Sequence, residues 1–221
     1  MLRFAFATGT EPGKWCDRFA QRTRHGGIDA HGSDDPLGLL ESGRADLALV
    51  RLPDARMDDR HHRVLLYTEA CGVAVPKESI FAEVGEPVTA ADLEGQMVQY
   101  RLADSGAVDV PAVRAALQVV AANVGVAIAP RPLLKILSRK QVVPLELRDD
   151  AVPQTQIALV WPRLGDSEAI QDFVGIARGR TANSSRQAAP KRSAREKTRA
   201  KQQARRGSQR DKRVGQRRRK R

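Results

Sequence analysis

The positive charge of this chain is concentrated at its C-terminal end. Residues 187–221 contain 16 of the 38 Lys and Arg residues but only two of the 26 acidic residues. The remaining 186 residues therefore carry 22 basic and 24 acidic side chains. The net charge of +12 thus describes a nearly neutral body with a cationic tail, and only the body can build a folded core.

The tail, residues 187–221, has Val214 as its only strongly apolar residue and no aromatic residue. Such a segment cannot bury enough apolar surface to offset its ordering entropy, so it is predicted to be disordered. Its 11 Arg and five Lys suit phosphate groups. We expect it to bind DNA or RNA without reading sequence. The expected nucleic-acid-binding residues are Lys191, Arg192, Arg205, Arg206, Arg217, Arg218, Arg219, Lys220 and Arg221.

Two alternatives for the tail stay open. It could be a solubilising extension with no dedicated partner, or it could bind another acidic partner. A membrane partner is not expected, because the tail has no Trp, Phe or Leu to insert.

The body is long enough for one sizeable core, undivided or split between two lobes. It has no recognisable signal peptide and no apolar run that could span a bilayer, so a cytoplasmic location is expected. Cys16 and Cys71 are isolated in the sequence, and no structural disulfide is expected in that compartment. The oligomeric state does not follow from the sequence.

Strand and helix patterns alternate from the start of the body. Residues 2–7, 28–31 and 46–52 read as strands, and Pro12 and Pro36 each suit the first turn of a helix between them. This β-α-β-α-β order predicts an α/β fold. Further strands are predicted at 64–67, 71–75, 97–100, 125–129, 142–147 and 155–161, and helical segments at 89–93, 110–122, 131–137 and 168–177.

Four segments resemble the effector-binding domain of LysR-type transcriptional regulators, a two-lobed fold of the periplasmic-binding-protein type. They are residues 43–49 (GRADLAL), 66–77 (LYTEACGVAVPK), 88–93 (VTAADL) and 119–130 (VVAANVGVAIAP). The resemblance covers residues 1–182. It implies one lobe from residues 1–70 and 153–182, a second from 71–152, and a small effector bound between them.

The chain also departs from that family pattern. The part that resembles the family begins at Met1, so no DNA-reading helix-turn-helix is expected. Ser79, Ile80 and Phe81 replace a usual His-Pro-Leu, and Asn123 replaces a glycine, although Asn tolerates the left-handed conformation. The second lobe is predicted to be shortened, which leaves open whether it keeps a full cleft.

The best ligand candidates in the sequence are Thr8, Gly9 and Thr10. They join a strand end to the expected start of a helix, where free backbone N–H groups attract anions. Arg51 should end a neighbouring strand at the same edge, where open α/β sheets bind ligands. Together these residues predict a small anionic ligand. The alternatives are a plain helix cap at the turn and a surface salt bridge from Arg51 to Asp54.

Two more residues are candidates for the cleft. Thr68 lies at the predicted crossing between lobes, and Tyr100 lies at the end of a strand of the second lobe. The alternative for each is local packing.

No enzymatic signature stands out. Gly9, Gly13 and Lys14 only superficially match a phosphate loop, since the spacing is one residue short and Trp15 stands where Ser or Thr is needed. His61 and His62 lack partners at metal-ligand spacing, so no metal and no cofactor is expected. We therefore expect a non-enzymatic effector-binding protein with a nucleic-acid-binding tail. The alternative is a protein-docking module with a solubilising tail.

Overall fold

The computed structural model describes residues 1–180. The tail residues predicted to bind nucleic acid all lie outside this part of the chain. Within it the protein has ten β-strands, six α-helices and two short 3₁₀ helices, arranged as two five-stranded sheets. The predicted α/β class is confirmed.

The first sheet has the strand order β2-β1-β3-β10-β4. Strands β1, β2 and β3 are parallel, and β10 pairs antiparallel with both β3 and β4. The carboxyl ends of the three parallel strands therefore meet at one edge. The strands of this sheet are β1 (Leu2–Ala7), β2 (Ile28–Ser33), β3 (Leu47–Leu52), β4 (His61–Thr68) and β10 (Gln156–Pro162).

The second sheet has the strand order β6-β9-β5-β8-β7. Its central strand β5 is antiparallel to both neighbours, whereas the short edge strands pair in parallel. Its strands are β5 (Cys71–Pro76), β6 (Val88–Thr89), β7 (Val98–Tyr100), β8 (Val126–Pro130) and β9 (Val142–Arg148).

The helices cover these sheets according to their apolar faces. Near the first sheet, α1 packs on α6 while α2 packs on β1 and β3; in the second, α4 and α5 pack on its strands. The helices are α1 (Gly13–Arg22), α2 (Pro36–Glu41), α3 (Ile80–Val84), α4 (Val110–Ala121), α5 (Arg131–Leu137) and α6 (Glu168–Ala177). The 3₁₀ helices are Ala91–Leu93 and Arg163–Gly165. Among residues 1–180, no helix is both long and apolar enough to cross a membrane.

Aromatic residues are scarce, yet three of them meet in the core of the first sheet. Phe173 of α6 lies with its ring centroid 4.8 Å from that of Phe4 and 5.6 Å from that of Phe19. All three side chains are fully buried. The last helix is thereby tied to the first strand and the first helix.

The chain passes between the sheets twice. It leaves the first sheet after β4 and returns at β10, and the two connecting segments touch where the Glu69 N–H donates to the Thr155 carbonyl at 2.9 Å. The described residues belong to a single compact unit, so the residue bounds given to the two lobes stay a prediction.

The local sequence explains most helix starts. Asp35 and Asp109 cap α2 and α4, accepting the Gly38 and Ala112 N–H groups. The expected start of α1 was wrong: the helix begins at Gly13, and Pro12 occupies the N-cap position without a side-chain cap. Asn123 is left-handed with φ 65°, as predicted at the position of a family glycine.

Candidate functional site

A cavity of about 280 Å³ lies between the two sheets. One wall follows the carboxyl ends of the parallel strands β1, β2 and β3, and the other is the segment that enters α4. Ligands of open α/β folds bind at such strand ends. The lining residues are Ala7, Asp34, Asp35, Pro36, Val50, Arg51, Pro53, Asp54, Ala55, Arg56, Ala107, Val108, Asp109, Val110 and Pro111. We call this cavity the cleft.

Arg51 lines the cleft, but most of its hydrogen-bonding capacity is already used. Its Nε donates to Glu69 Oε2 at 2.6 Å and its Nη2 to Glu69 Oε1 at 3.0 Å, a bidentate ion pair. The exposed fractions of the two side chains are 7% and 1%. The Thr155 hydroxyl also donates to Glu69, at 2.8 Å. The alternative of a surface salt bridge to Asp54 was wrong, since Asp54 pairs with Arg56 instead.

The turn at Thr8, Gly9 and Thr10 differs from the one expected. The Thr8 N–H donates to the Ser33 carbonyl and the Thr10 N–H to the Ala7 carbonyl, both at 3.0 Å. Because α1 begins only at Gly13, the turn is not a helix start with free donors. The turn was expected to attract anions through free N–H groups at a helix start, and that expectation is therefore wrong.

The three residues of this turn lie at different places. Thr8 remains at the cleft rim, since its carbonyl accepts from Arg51 Nη2 at 3.0 Å and its hydroxyl donates to Asp34 at 2.5 Å. Thr10 is buried, with its hydroxyl bonded to the Ala7 carbonyl. Gly9 faces α5, where a Cβ would come within 2.9 Å of the Leu133 Cα.

Of the two further cleft candidates, Tyr100 lies beside the cleft and Thr68 does not. The Tyr100 hydroxyl accepts the N–H of the lining residue Asp109 at 3.0 Å, which places it beside the cleft. Burial raises the pKa of Tyr100, while the positive charge of Arg51 acts in the opposite direction. Thr68 is an exposed residue at the end of β4, paired with Gln156, and it is not part of the lining. A ligand role for any of the six candidates stays a prediction.

The cleft is bridged by an ion pair from the second wall. Arg114 on α4 donates to Asp34, just after β2, at 2.9 Å. Burial acts to raise the pKa of Asp34, but hydrogen bonds from Thr8 and Arg114 hold it below the ordinary value. This contact and the packing of Gly9 against α5 are two places where the second sheet's helices touch the first sheet.

Three acidic side chains surround Arg56 on the first wall. Its Nη2 lies 2.8 Å from Asp35 and 2.7 Å from Asp54, and its Nη1 lies 3.8 Å from Glu41. The guanidinium lowers the pKa of Asp35; burial acts to raise that of Asp54, but the bonds from Arg56 lower it overall. Asp35 and Asp54 are therefore ionised at neutral pH.

Sequence reasoning missed most of the lining. Asp34 and Asp35 were interpreted only as the start of the helix at Pro36. Residues 107–109 were interpreted only as a loop, and residues 110 and 111 only as the start of a helix. One signal was available: a helix start needs a single capping carboxylate, here that of Asp35, which leaves Asp34 available for another contact. The long-range partner of Asp34 could not be predicted, because Arg114 is far away in the sequence.

A second, larger depression of about 420 Å³ lies along β4, away from all six candidates. It is lined by Met57, Asp58, Asp59, His61, His62, Arg63 and Arg163. Only one sheet contributes to it, so it is a less plausible ligand site than the cleft. Its His61 contacts Asp58, and the ring of its His62 packs against that of Trp161 at a tilt of 39°. Nowhere in residues 1–180 do three His, Cys, Asp or Glu residues converge as potential metal ligands.

Solved structures share this architecture. The effector-binding domain of a BenM variant matches with a TM-score of 0.60 and 18% identity over 80% of this chain and 92% of that one. HinK, a LysR family transcriptional regulator from Pseudomonas aeruginosa, gives 0.59 and 18%, over 80% and 68%. Full-length CbnR, solved with its target DNA, gives 0.58 and 15%, over the same shares. At these identities the similarity shows the fold alone.

Sequence comparison shows the family. No curated protein matches the sequence. The family model described as the LysR substrate binding domain matches residues 13–182, more than half of the chain. The predicted resemblance is thereby confirmed, and the chain belongs to the LysR substrate-binding domain family.

Proposed function

We propose that the body is a regulatory domain that binds a small molecule in the cleft and catalyses no reaction. The observation that carries this proposal is the cavity of about 280 Å³ whose walls come from both sheets. A ligand that contacts both walls favours the arrangement in which they lie close together. Binding can then be read out elsewhere as a shift between arrangements.

The sequence predicts a small anion in the cleft, and that charge is still untested. Two observations weaken its basis. The Arg51 guanidinium is already bidentately paired with Glu69, and the Thr8 and Thr10 N–H groups already have partners. The geometry therefore supports a small ligand at this place more strongly than it supports an anion.

Filling the cleft tests this proposal. Ala107 is an exposed lining residue in a loop, so Ala107→Trp should obstruct the cavity and leave the core intact. Ala103→Trp is the matched control, because Ala103 is exposed in the same loop but does not line the cavity. In a thermal-shift screen of small metabolites, compounds that stabilise the protein should still stabilise Ala103→Trp and should lose their effect in Ala107→Trp. Equal shifts in both variants would place the ligand elsewhere.

We further propose that the tail binds nucleic acid without sequence preference. What supports this is its composition, with 16 basic and two acidic side chains in residues 187–221. Electrostatic contact with phosphates accounts for most non-specific binding. The full chain should be retained by DNA or RNA, and a chain that ends at Arg186 should not. Equal retention of the two would contradict this proposal, and retention of neither would instead favour a protein-docking body with a solubilising tail.

A further inference from the structure

The charges around the cleft do not balance. Four aspartates line it, Asp34, Asp35, Asp54 and Asp109, against the two arginines Arg51 and Arg56. The ion-pair partners of these lining residues do not remove the excess of negative charge. Glu69 offsets Arg51, Arg114 offsets Asp34, and Glu41 adds a third carboxylate around Arg56. The lining residues and these partners together hold six carboxylates and three guanidiniums.

The excess negative charge lies on both walls. On the first wall, Asp54 shares the single guanidinium of Arg56 with Asp35. On the second wall, the Asp109 carboxylate accepts the Ala112 N–H at 2.9 Å, and no Lys, Arg or His of residues 1–180 forms an ion pair with it. The N-terminus of α4 offsets only part of that charge, about half a unit.

An anion would meet an unfavourable field in this cavity. The only cation of the lining that is not shared among several carboxylates is Arg51, and Glu69 already neutralises it in a buried pair. A positively charged group would instead be attracted from solvent toward Asp54 and Asp109. The rest of the wall is apolar, with Pro53, Val108 and Pro111 among its members. A short aliphatic chain suits such a surface.

Resting on the function proposed above, we propose that the ligand of the cleft is an organic cation. It carries an amine or a guanidine on a short aliphatic chain. The Asp109 carboxylate holds the cationic group, and Asp54, whose two oxygens already accept from Arg56, adds negative charge nearby. The volume of about 280 Å³ limits it to a small molecule.

Four compounds with the same four-carbon skeleton separate charge from shape. They are 1,4-diaminobutane, 4-aminobutanoate, 1,4-butanediol and butanedioate, tested by calorimetric titration into the full-length chain at pH 7. We expect 1,4-diaminobutane to bind and its affinity to fall as salt is added. We expect 4-aminobutanoate to bind more weakly, and the other two to show no binding that depends on the cleft.

Variants show whether binding depends on the cleft. Asp109→Asn keeps a good N-cap residue, so it should fold, and it should weaken 1,4-diaminobutane binding about tenfold. Asp54→Asn should weaken it less, because both oxygens of Asp54 already accept from Arg56. Glu86→Gln removes the same charge from an exposed residue outside the cleft and should leave the affinity unchanged.

The outcomes separate this proposal from the proposed function. If butanedioate or the diol binds, and Ala107→Trp abolishes that binding, the cleft is a ligand site but the organic-cation proposal is overturned. If none of the four compounds gives binding that is sensitive to Ala107→Trp, the organic-cation proposal is overturned, and the metabolite screen still decides whether the cleft binds ligands.

Discussion

At the scale of single residues, the Arg51–Glu69 pair joins the cleft to the crossing between the sheets. Arg51 is the second-last residue of β3 and lines the cleft, and Glu69 follows β4 at the first crossing. Thr155, at the second crossing, donates to the same carboxylate. The sequence predicted that Arg51 would lie at the cleft, but not that its partner would be Glu69. Burial of two charges in one pair is a long-range property that no local pattern reveals.

Removal of one partner of this ion pair should strongly destabilise the folded protein. Glu69→Leu would leave the Arg51 guanidinium buried without its counter-charge, and we expect it to lower the free energy of unfolding by about 3–5 kcal/mol. The double variant Arg51→Met/Glu69→Leu should cost much less, because no buried charge remains. Urea denaturation of the full chain measures both. A Glu69→Leu cost below about 1 kcal/mol would show that the pair is not buried in solution.

Stability should also depend on acidic pH. The pKa values of Asp34, Asp35 and Asp54 are depressed in the folded protein, so the unfolded chain binds more protons as the pH falls. Their contribution is present above the ordinary Asp pKa of about 3.9 and is lost as the pH falls through the lower folded values.

Denaturation midpoints at several pH values between neutrality and about pH 2.5 should therefore decrease most steeply below about pH 4. Asp54→Asn should flatten that decrease. An Asp54→Asn profile parallel to that of the unmodified chain would contradict the assignment of this residue.

At the scale of elements, periodicity predicted the long segments and missed some of the short ones. The helices α4, α5 and α6 and the strands β1, β5 and β9 lie where the apolar patterns placed them. The five-residue helix α3 and the two-residue strand β6 were not predicted, because they are too short for a repeat to show. The start of α1 was misplaced since Pro12 fits an N-cap position as well as a first turn.

The conformation of the turn that connects α4 to β8 should depend on Gly125. This residue has φ +68°, and a Cβ there would lie 2.0 Å from the Met97 carbonyl oxygen. Gly85 has a similar φ of +70° but no atom within 4 Å of such a Cβ. Gly85→Ala should therefore cost only the left-handed conformation, about 1–2 kcal/mol, whereas Gly125→Ala should cost clearly more because the backbone must move. Equal thermal midpoints for the two variants would contradict this geometry.

At the scale of the whole molecule, the composition of the chain predicted its division into a body and a tail, and the fold of the body forms the cleft. The charge distribution separates residues 187–221 from the body. The order of strands and helices predicted the α/β class, and the resemblance to LysR effector-binding domains implied two lobes. The cleft itself could be predicted only in part. Local sequence indicated the edge where β1, β2 and β3 end, but the opposite wall at residues 107–111 depends on tertiary packing that local patterns do not encode.

The proposed binding of nucleic acid should be strongly salt-dependent. If about half of the tail's basic residues contact phosphates, the logarithm of the binding constant on duplex DNA should fall with a slope of about −7 against the logarithm of the salt concentration. Scrambling the order of residues 187–221 should leave that slope unchanged, because charge alone carries the interaction. Fluorescence anisotropy with two unrelated DNA sequences measures it. A slope near zero, or a strong preference for one of the sequences, would contradict the proposal.

The claim that the cleft between the two sheets is the ligand site can be tested most directly by mapping a bound ligand onto the backbone. Amide NMR spectra of the full chain should be recorded while a compound that stabilises it is added. We expect shifts at both walls together, at the ends of β1 and β3 around Ala7 and Arg51 and at residues 108–110 before and within α4. Shifts confined to one wall, to the depression around His61 and Arg163, or to the tail would contradict it.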